Sequence, residues 1–285
     1  MDFTQPGLRA LPVLVWLATV TFTGSAQEIS DPVPTVAEQQ RILARVGRES
    51  LRYQRELPNL ICTQLTTRSV DESGTGKHWK ESDRIEVEDD YVGQFVNHKL
   101  LVVNSKSTDK NYQQLNGFLS ETVLHSLGFL PRWIFGPQAK THFEWSKWST
   151  IDGKKMQVFS VHLPVSESQL VVLTDRQSVV AGIDGFIYVD AATSLVHRFE
   201  IQMDLPAGSV IQEGFVSIDY GSESISGRQY LLPLKALVTA RVGGSLRRNE
   251  IEVVRYQRYA AETTVHFDEA PEGSVPPADP PPRQD

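Results

Sequence analysis

The hydrophobic pattern of the chain changes its period once, from a helical repeat to strand alternation. Thr35 and Glu38 form a capping-box signature, and the pattern predicts a helix from there to Glu56, ended by Pro58. From residue 59 to about 268, apolar and polar positions alternate, which is typical of strands with one buried face. Strands are predicted near 59–70, 77–91, 94–103, 140–150, 154–163, 168–174, 177–190, 194–205, 213–221, 228–241, 247–258 and 262–268.

Short turns between these strands indicate how the sheet is connected. Asp152-Gly153 and Gly243-Gly244 are examples of the turn residues that separate successive runs. Parallel strands need long crossover connections, so short turns predict an antiparallel meander. The expected fold is mainly β (α+β), in a single domain over residues 36–268.

One segment interrupts the strand pattern. Residues 117–137 carry apolar residues at helical spacing and end in an aromatic-rich stretch, which predicts a short second helix packed against the sheet. Two interpretations of this aromatic content stay open. It is either simple core packing, or the wall of a hydrophobic cavity or groove with the helix as a plug or lid, since ligand pockets are mostly apolar concavities.

The first 26 residues have the features of a secretory signal peptide. Arg9 is followed by the apolar run 11–22 and then by Gly24-Ser25-Ala26, small residues suited to signal peptidase. The apolar run is about a dozen residues long, whereas a spanning helix needs roughly 20. We therefore expect a cleaved signal, a mature chain without a transmembrane segment, and a periplasmic or possibly extracellular location.

Two further segments lie outside the predicted domain. Residues 27–35 form a polar leader, and residues 269–285 form a tail that holds six prolines and four acidic residues against one arginine. Such a composition cannot form a hydrophobic core, so the tail is predicted to be disordered.

Composition excludes some partners. The chain has 28 Lys and Arg against 35 Asp and Glu, a formal net charge of −7, whereas nucleic-acid binders need a basic face. Cys62 is the single cysteine, which rules out an intramolecular disulfide and a cysteine-rich metal site. Its strand-like surroundings favour a buried, hydrophobic role over pairing with a partner thiol.

A search for catalytic and metal-binding motifs gives little. The histidines are scattered singly, and His142 with Glu144 on one strand face provides only two ligands, a poor metal site. The Ser-x-x-Lys at 107–110 lies in a polar loop without companion motifs, and no Gly-x-Ser-x-Gly is present. A spatial Asp–Glu pair stays open. We expect no cofactor, no metal and no enzymatic activity.

The residues GFIYVDAATSLVHRFE at 185–200 form an aromatic strand, an Asp-x-x-Thr turn and a return strand. This hairpin resembles that of LolA/LolB-like periplasmic lipoprotein carriers, and the wider resemblance, over about 36–268, extends to a set of secreted bacterial proteins. It implies a strongly curved antiparallel sheet forming an unclosed β-barrel, with both helices on its concave side. It also implies an apolar surface that shelters acyl chains of lipoproteins or other lipids.

The function predicted first is a non-catalytic periplasmic binding protein for a lipid or lipidated protein. Alternatives are an envelope protein–protein interaction or scaffold module without a ligand, and a secreted hydrolase. A filled interior would favour the scaffold. The residues predicted to line the ligand come from the two helices: Val46, Tyr53, Phe118, Leu119, Val123, Leu127, Trp133, Ile134 and Phe135.

Overall fold

The first element of the described chain is the predicted helix. The computed structural model describes residues 31–92, 95–111, 115, 130, 133–168, 170–173 and 178–259. Helix α1 spans Val36–Glu56, and the capping box is confirmed: the Thr35 hydroxyl accepts from the backbone N–H of Glu38, whose carboxylate accepts from that of Thr35 at 2.7 Å. The predicted signal peptide, the Pro-rich tail and the strand at 262–268 lie outside the described residues, as do residues 27–30 of the leader.

In the described part of the chain twelve strands follow the helix, and eleven of them match predicted runs. The exception is β4, which is two residues long and so shows no period of its own. No helix among the described residues is both long and apolar enough to cross a bilayer. The strands are β1 Leu60–Asp71, β2 Lys80–Val92, β3 Phe95–Val103, β4 Lys106–Ser107, β5 His142–Ile151, β6 Lys154–Leu163, β7 Leu170–Leu173, β8 Ser178–Asp190, β9 Val196–Asp204, β10 Ile211–Ile225, β11 Arg228–Val242 and β12 Ser245–Arg258.

All strand pairs are antiparallel, in the order β4-β3-β2-β1-β12-β11-β10-β9-β8-β6-β5, with β7 pairing β8 beside this path. The first and last long strands, β1 and β12, are therefore neighbours at the centre of the sheet. Two meanders extend from this seam and end at β4 and β5, which do not pair with each other within the described part of the chain. The prediction of a mainly antiparallel, unclosed sheet is confirmed.

The sheet curls around one hydrophobic core. Ile85 of β2 and Leu100 of β3 belong to the same buried cluster as Phe159 of β6, although these strands lie near opposite ends of the sheet. A flat sheet would hold them far apart, since neighbouring strands are about 4.8 Å from each other. Val46 of α1 is fully buried in the cluster. Helix α1 therefore lies on the concave face, as predicted.

The turn between β8 and β9 explains the Asp-x-x-Thr part of the sequence motif. The Asp190 carboxylate accepts hydrogen bonds from the backbone N–H groups of Ala192 at 2.7 Å and Thr193 at 3.1 Å. Ser194 then adopts a left-handed φ of 61°. The aspartate thus fixes the chain reversal by an Asx-type turn, a structural role.

A buried histidine beside this turn makes stability depend on pH. Nε2 of His197 lies 3.6 Å from the Asp190 carboxylate. Burial is the largest effect and lowers the pKa of His197, and Lys154 acts in the same direction, whereas Asp190, Asp152 and the Tyr220 backbone oppose it. Because the unfolded chain takes up this proton more readily than the folded one, the free energy of unfolding should fall as pH drops below about 6.5.

We therefore expect His197→Gln to lose less stability than the parent between pH 7.5 and pH 5.5. Urea unfolding at both pH values measures the difference. Equal losses in the two proteins would assign the pH dependence to other groups.

Candidate functional site

The concave face of the sheet is covered at its centre by α1 and by helical residues 133–135. These two pieces lie in contact, because a Cβ on Gly47 would stand 3.7 Å from Phe135. Ser50 of α1 is buried, and Tyr53 lies near the backbone of Leu231 at the start of β11. Burial raises the pKa of Tyr53 well above its usual range. The helix is therefore held along its length by the sheet.

Aromatic rings group at one margin of this face, beside edge strand β5. The Phe135 and Phe143 rings stack with centroids 5.4 Å apart, and Trp145 meets Phe159 edge to face at 5.4 Å. Trp133 is half-buried and packs on the same core. We call Trp133, Phe135, Phe143 and Trp145 the aromatic edge. Such rings give large apolar contact area, and each of them keeps part of its surface exposed.

The structure divides the predicted ligand-lining residues into three groups. Val46 and Ile134 are 0 and 1% exposed, so they form the core under the covering helices. Trp133, Phe135 and Tyr53 are only partly buried. Their role toward a ligand stays a prediction. The others lie outside the described residues: Phe118, Leu119, Val123 and Leu127.

The concave face has a polar section that the sequence pattern did not indicate. Arg68 of β1 forms two hydrogen bonds to Asp83 of β2, of which Nε to Oδ1 measures 2.6 Å, and both side chains are largely buried. Gln64 is almost fully buried, and its Nε2 donates to Thr66 at 3.0 Å. Its Oε1 has no hydrogen-bond partner among the residues that the structure describes. Beside the apolar core, the face thus offers buried polar groups.

A Cys–Asp–His row on this face has the residue types of a catalytic triad but not the order. Cys62 pairs in register with Asp89, and Asp89 pairs with His98, whose Nδ1 lies 2.7 Å from the Asp89 carboxylate. Burial raises the pKa of the Cys62 thiol, and Asp89 raises it further. A nucleophilic thiol needs the opposite shift. The carboxylate between thiol and imidazole therefore keeps the thiol protonated.

The opposite, convex side of the sheet carries a groove of about 930 Å³ that crosses strands β3, β2, β1, β12, β11 and β10. Its acidic side chains are paired with bases: Glu252 lies 3.7 Å from Lys235, and Glu86 pairs with Arg255. The groove therefore presents little unbalanced charge. Sequence reasoning missed it, because its lining comes from residues on six separate strands.

His142, the histidine of the two-ligand pair with Glu144, lies on this same convex side. The rings of His142 and His162 are 6.3 Å apart, and His162 Nδ1 lies 2.6 Å from the Asp184 carboxylate. Among the residues the structure describes, no three His, Cys, Asp or Glu side chains are placed to share a metal ion.

Several solved structures are similar to the chain at low sequence identity. The sequence matches no protein-family profile and no curated protein sequence. Solved structures similar to the chain include a DUF1329 family protein from Desulfovibrio piger, with 9% identity and a TM-score of 0.37, covering 76% of this chain and 92% of that one. A LolA superfamily protein from Nitrosomonas europaea has 10% identity and a TM-score of 0.31, covering 78 and 94%. The lipoprotein LppX of Mycobacterium tuberculosis has 12% identity and a TM-score of 0.29, covering 78 and 98%.

A protein of the LolA superfamily, which the 185–200 hairpin resembles, is among these structures. What the chain itself binds has to be inferred from its own residues.

Proposed function

We propose that this chain is a non-catalytic periplasmic binding protein that holds the acyl chains of a lipid or lipidated protein against its concave face. The observation that carries the proposal is the aromatic edge. Half-buried aromatic rings lie where the unclosed sheet ends at β5, next to the covering residues 133–135. An acyl chain entering at this margin would meet the apolar core once the covering residues are displaced.

The composition of the concave face suits an amphiphile. Its apolar section, from β6 to β10, provides aliphatic and aromatic contacts such as Ile187 and Phe199. Each methylene buried there contributes about 0.8 kcal/mol, so a single acyl chain supplies ample binding energy. The polar section around Gln64 and Arg68 provides hydrogen-bonding groups for a head group.

The covering elements would act as a lid. Val46 and Ile134 fill the interior beneath these elements, which taken alone favours the scaffold alternative, so an acyl chain would have to enter by displacing the helical residues that carry them. The aromatic edge is only partly buried and is the natural starting point for that displacement. The protonated Cys62 thiol beside Asp89 favours binding without catalysis.

The first experiment is organic extraction and native mass spectrometry of the protein purified from its own periplasm. A co-purifying lipid or lipopeptide is the expected result, and it would identify the ligand class. An empty protein that also fails to bind a fluorescent fatty-acyl probe would contradict the proposal and favour the scaffold alternative.

Trp133→Ala should weaken binding of the acyl probe by about tenfold to a hundredfold, because burying an aromatic side chain contributes about 1.5–3 kcal/mol. The matched control is Trp79→Ala. Trp79 directly precedes β2. Its Nε1 donates to the Gly76 carbonyl at 2.9 Å, and the Arg248 guanidinium lies over its ring. The control should bind the probe within about twofold of the parent. Equal binding by the Trp133 variant and the parent would remove Trp133 from the site.

A further inference from the structure

The outward face of α1 carries a continuous row of arginines. Their spacing of four, three, four and three residues places all of them on one side of a helix. All are exposed, and at 1.5 Å per residue the row is about 21 Å long. We call this row the arginine ridge: Arg41, Arg45, Arg48, Arg52 and Arg55.

Most of the ridge lacks an acidic partner. Arg52 pairs with Glu49 and Glu56, whereas the other four arginines have no carboxylate within 4.0 Å among the described residues. Arg41 donates to a backbone carbonyl within its own helix, and its charge acts on the nearby Glu38 carboxylate. Most arginines of the sheet pair with a carboxylate: Arg68, Arg84, Arg198, Arg241, Arg248 and Arg255. Those without an ion pair among the described residues, Arg228, Arg247 and Arg258, lie on β11 and β12. In a chain of net charge −7, α1 therefore carries a row of exposed positive charge on one face.

We propose that the arginine ridge docks the protein on a bilayer surface that carries anionic head groups. The inward side of α1 is held on the core by Val46 and Ser50, so the ridge is a straight, rigid element that matches a plane. Guanidinium groups bind phosphate oxygens in a bidentate way. This docking goes beyond ligand binding on the concave face and does not depend on it.

Vesicle co-sedimentation with the full chain tests the docking. The parent should bind phosphatidylcholine vesicles that contain phosphatidylglycerol, bind poorly to phosphatidylcholine alone, and dissociate at high salt because screening weakens the attraction. Each unpaired arginine should strengthen binding by roughly fivefold. Replacing Arg41, Arg45, Arg48 and Arg55 by glutamine should therefore weaken binding by roughly a hundredfold or more.

The control variant makes the same change in net charge at exposed lysines outside α1: Lys99, Lys106, Lys140 and Lys235. It should keep binding within a few-fold of the parent, and both variants should show the circular dichroism of the folded protein, since exposed substitutions change stability little. Equal losses in both variants would show a net-charge effect and overturn the proposal. A parent that ignores anionic vesicles but binds a polyglutamate peptide would overturn it in favour of an acidic protein partner.

The acyl probe separates this proposal from the preceding one. The arginine-ridge variant should bind the soluble probe as the parent does. A parent that binds the vesicles but not the probe keeps the docking and contradicts the acyl-binding function. A parent that binds the probe but not the vesicles contradicts the docking and keeps the acyl-binding function.

Discussion

Gly185→Ala is expected to destabilise the protein by about 3 kcal/mol or more and to reduce its folded yield, the cost of overpacking against rigid neighbours. Gly185 lies in β8 at the start of the 185–200 hairpin, and an added Cβ would stand 1.9 Å from the backbone carbonyl oxygen of Glu200 in β9. The obstacle is backbone in a paired strand, so it cannot move aside as a side chain would. Urea unfolding of the purified variant measures the loss.

Gly47→Ala is the matched control for the same substitution. Its Cβ would make ordinary contact with Phe135 at 3.7 Å, and alanine favours a helix over glycine by about 1 kcal/mol. This variant should be as stable as the parent or more stable. If Gly185→Ala proved equally harmless, β8 and β9 would have to be farther apart than the structure places them.

The individual elements could be predicted from the sequence because each has a local signal. The capping box and the helical period define α1, and strict alternation defines the long strands. The Asp-x-x-Thr turn was also visible, since its hydrogen bonds run between residues two and three positions apart. Local patterns of this kind need no knowledge of the rest of the chain.

The partners of the strands could not be predicted in the same way. Pairing of β1 with β12 joins residues nearly two hundred positions apart, for example Leu60 with Arg258. No local pattern identifies such a neighbour. The polar section of the concave face was hidden for the same reason, because Arg68 finds Asp83 only through the register of β1 with β2.

The candidate site was predicted in part. The aromatic-rich end of the 117–137 segment left an apolar surface near the second helix open as one interpretation, and the structure stacks Phe135 of that segment on Phe143 of β5. The arginines of α1 were visible too, but such a row is more often a solvated face than a binding patch. The structure adds that four of them have no ion pair among the described residues, whereas most arginines of the sheet have one.

Phe199→Ala is expected to lower the free energy of unfolding by about 3–5 kcal/mol, the usual cost of truncating a buried phenylalanine. Phe199 lies in β9 on the concave face, is 0% exposed, and packs edge to face on Tyr220 with ring centroids 5.8 Å apart. It is among the largest fully buried side chains of the described residues. Urea denaturation monitored by tryptophan fluorescence measures the change.

Phe186→Ala is the control, since Phe186 lies on the convex face and is 40% exposed. It should cost less than about 1 kcal/mol, because the lost area is already partly in contact with water. Similar losses in the two variants would mean that the two faces of β8 and β9 are assigned wrongly.

The Phe199 variant also bears on function: truncation leaves an apolar cavity on the face proposed to hold acyl chains, and such cavities bind apolar molecules. The acyl probe should therefore raise the melting temperature of Phe199→Ala more than that of the parent, since a ligand stabilises the state it binds.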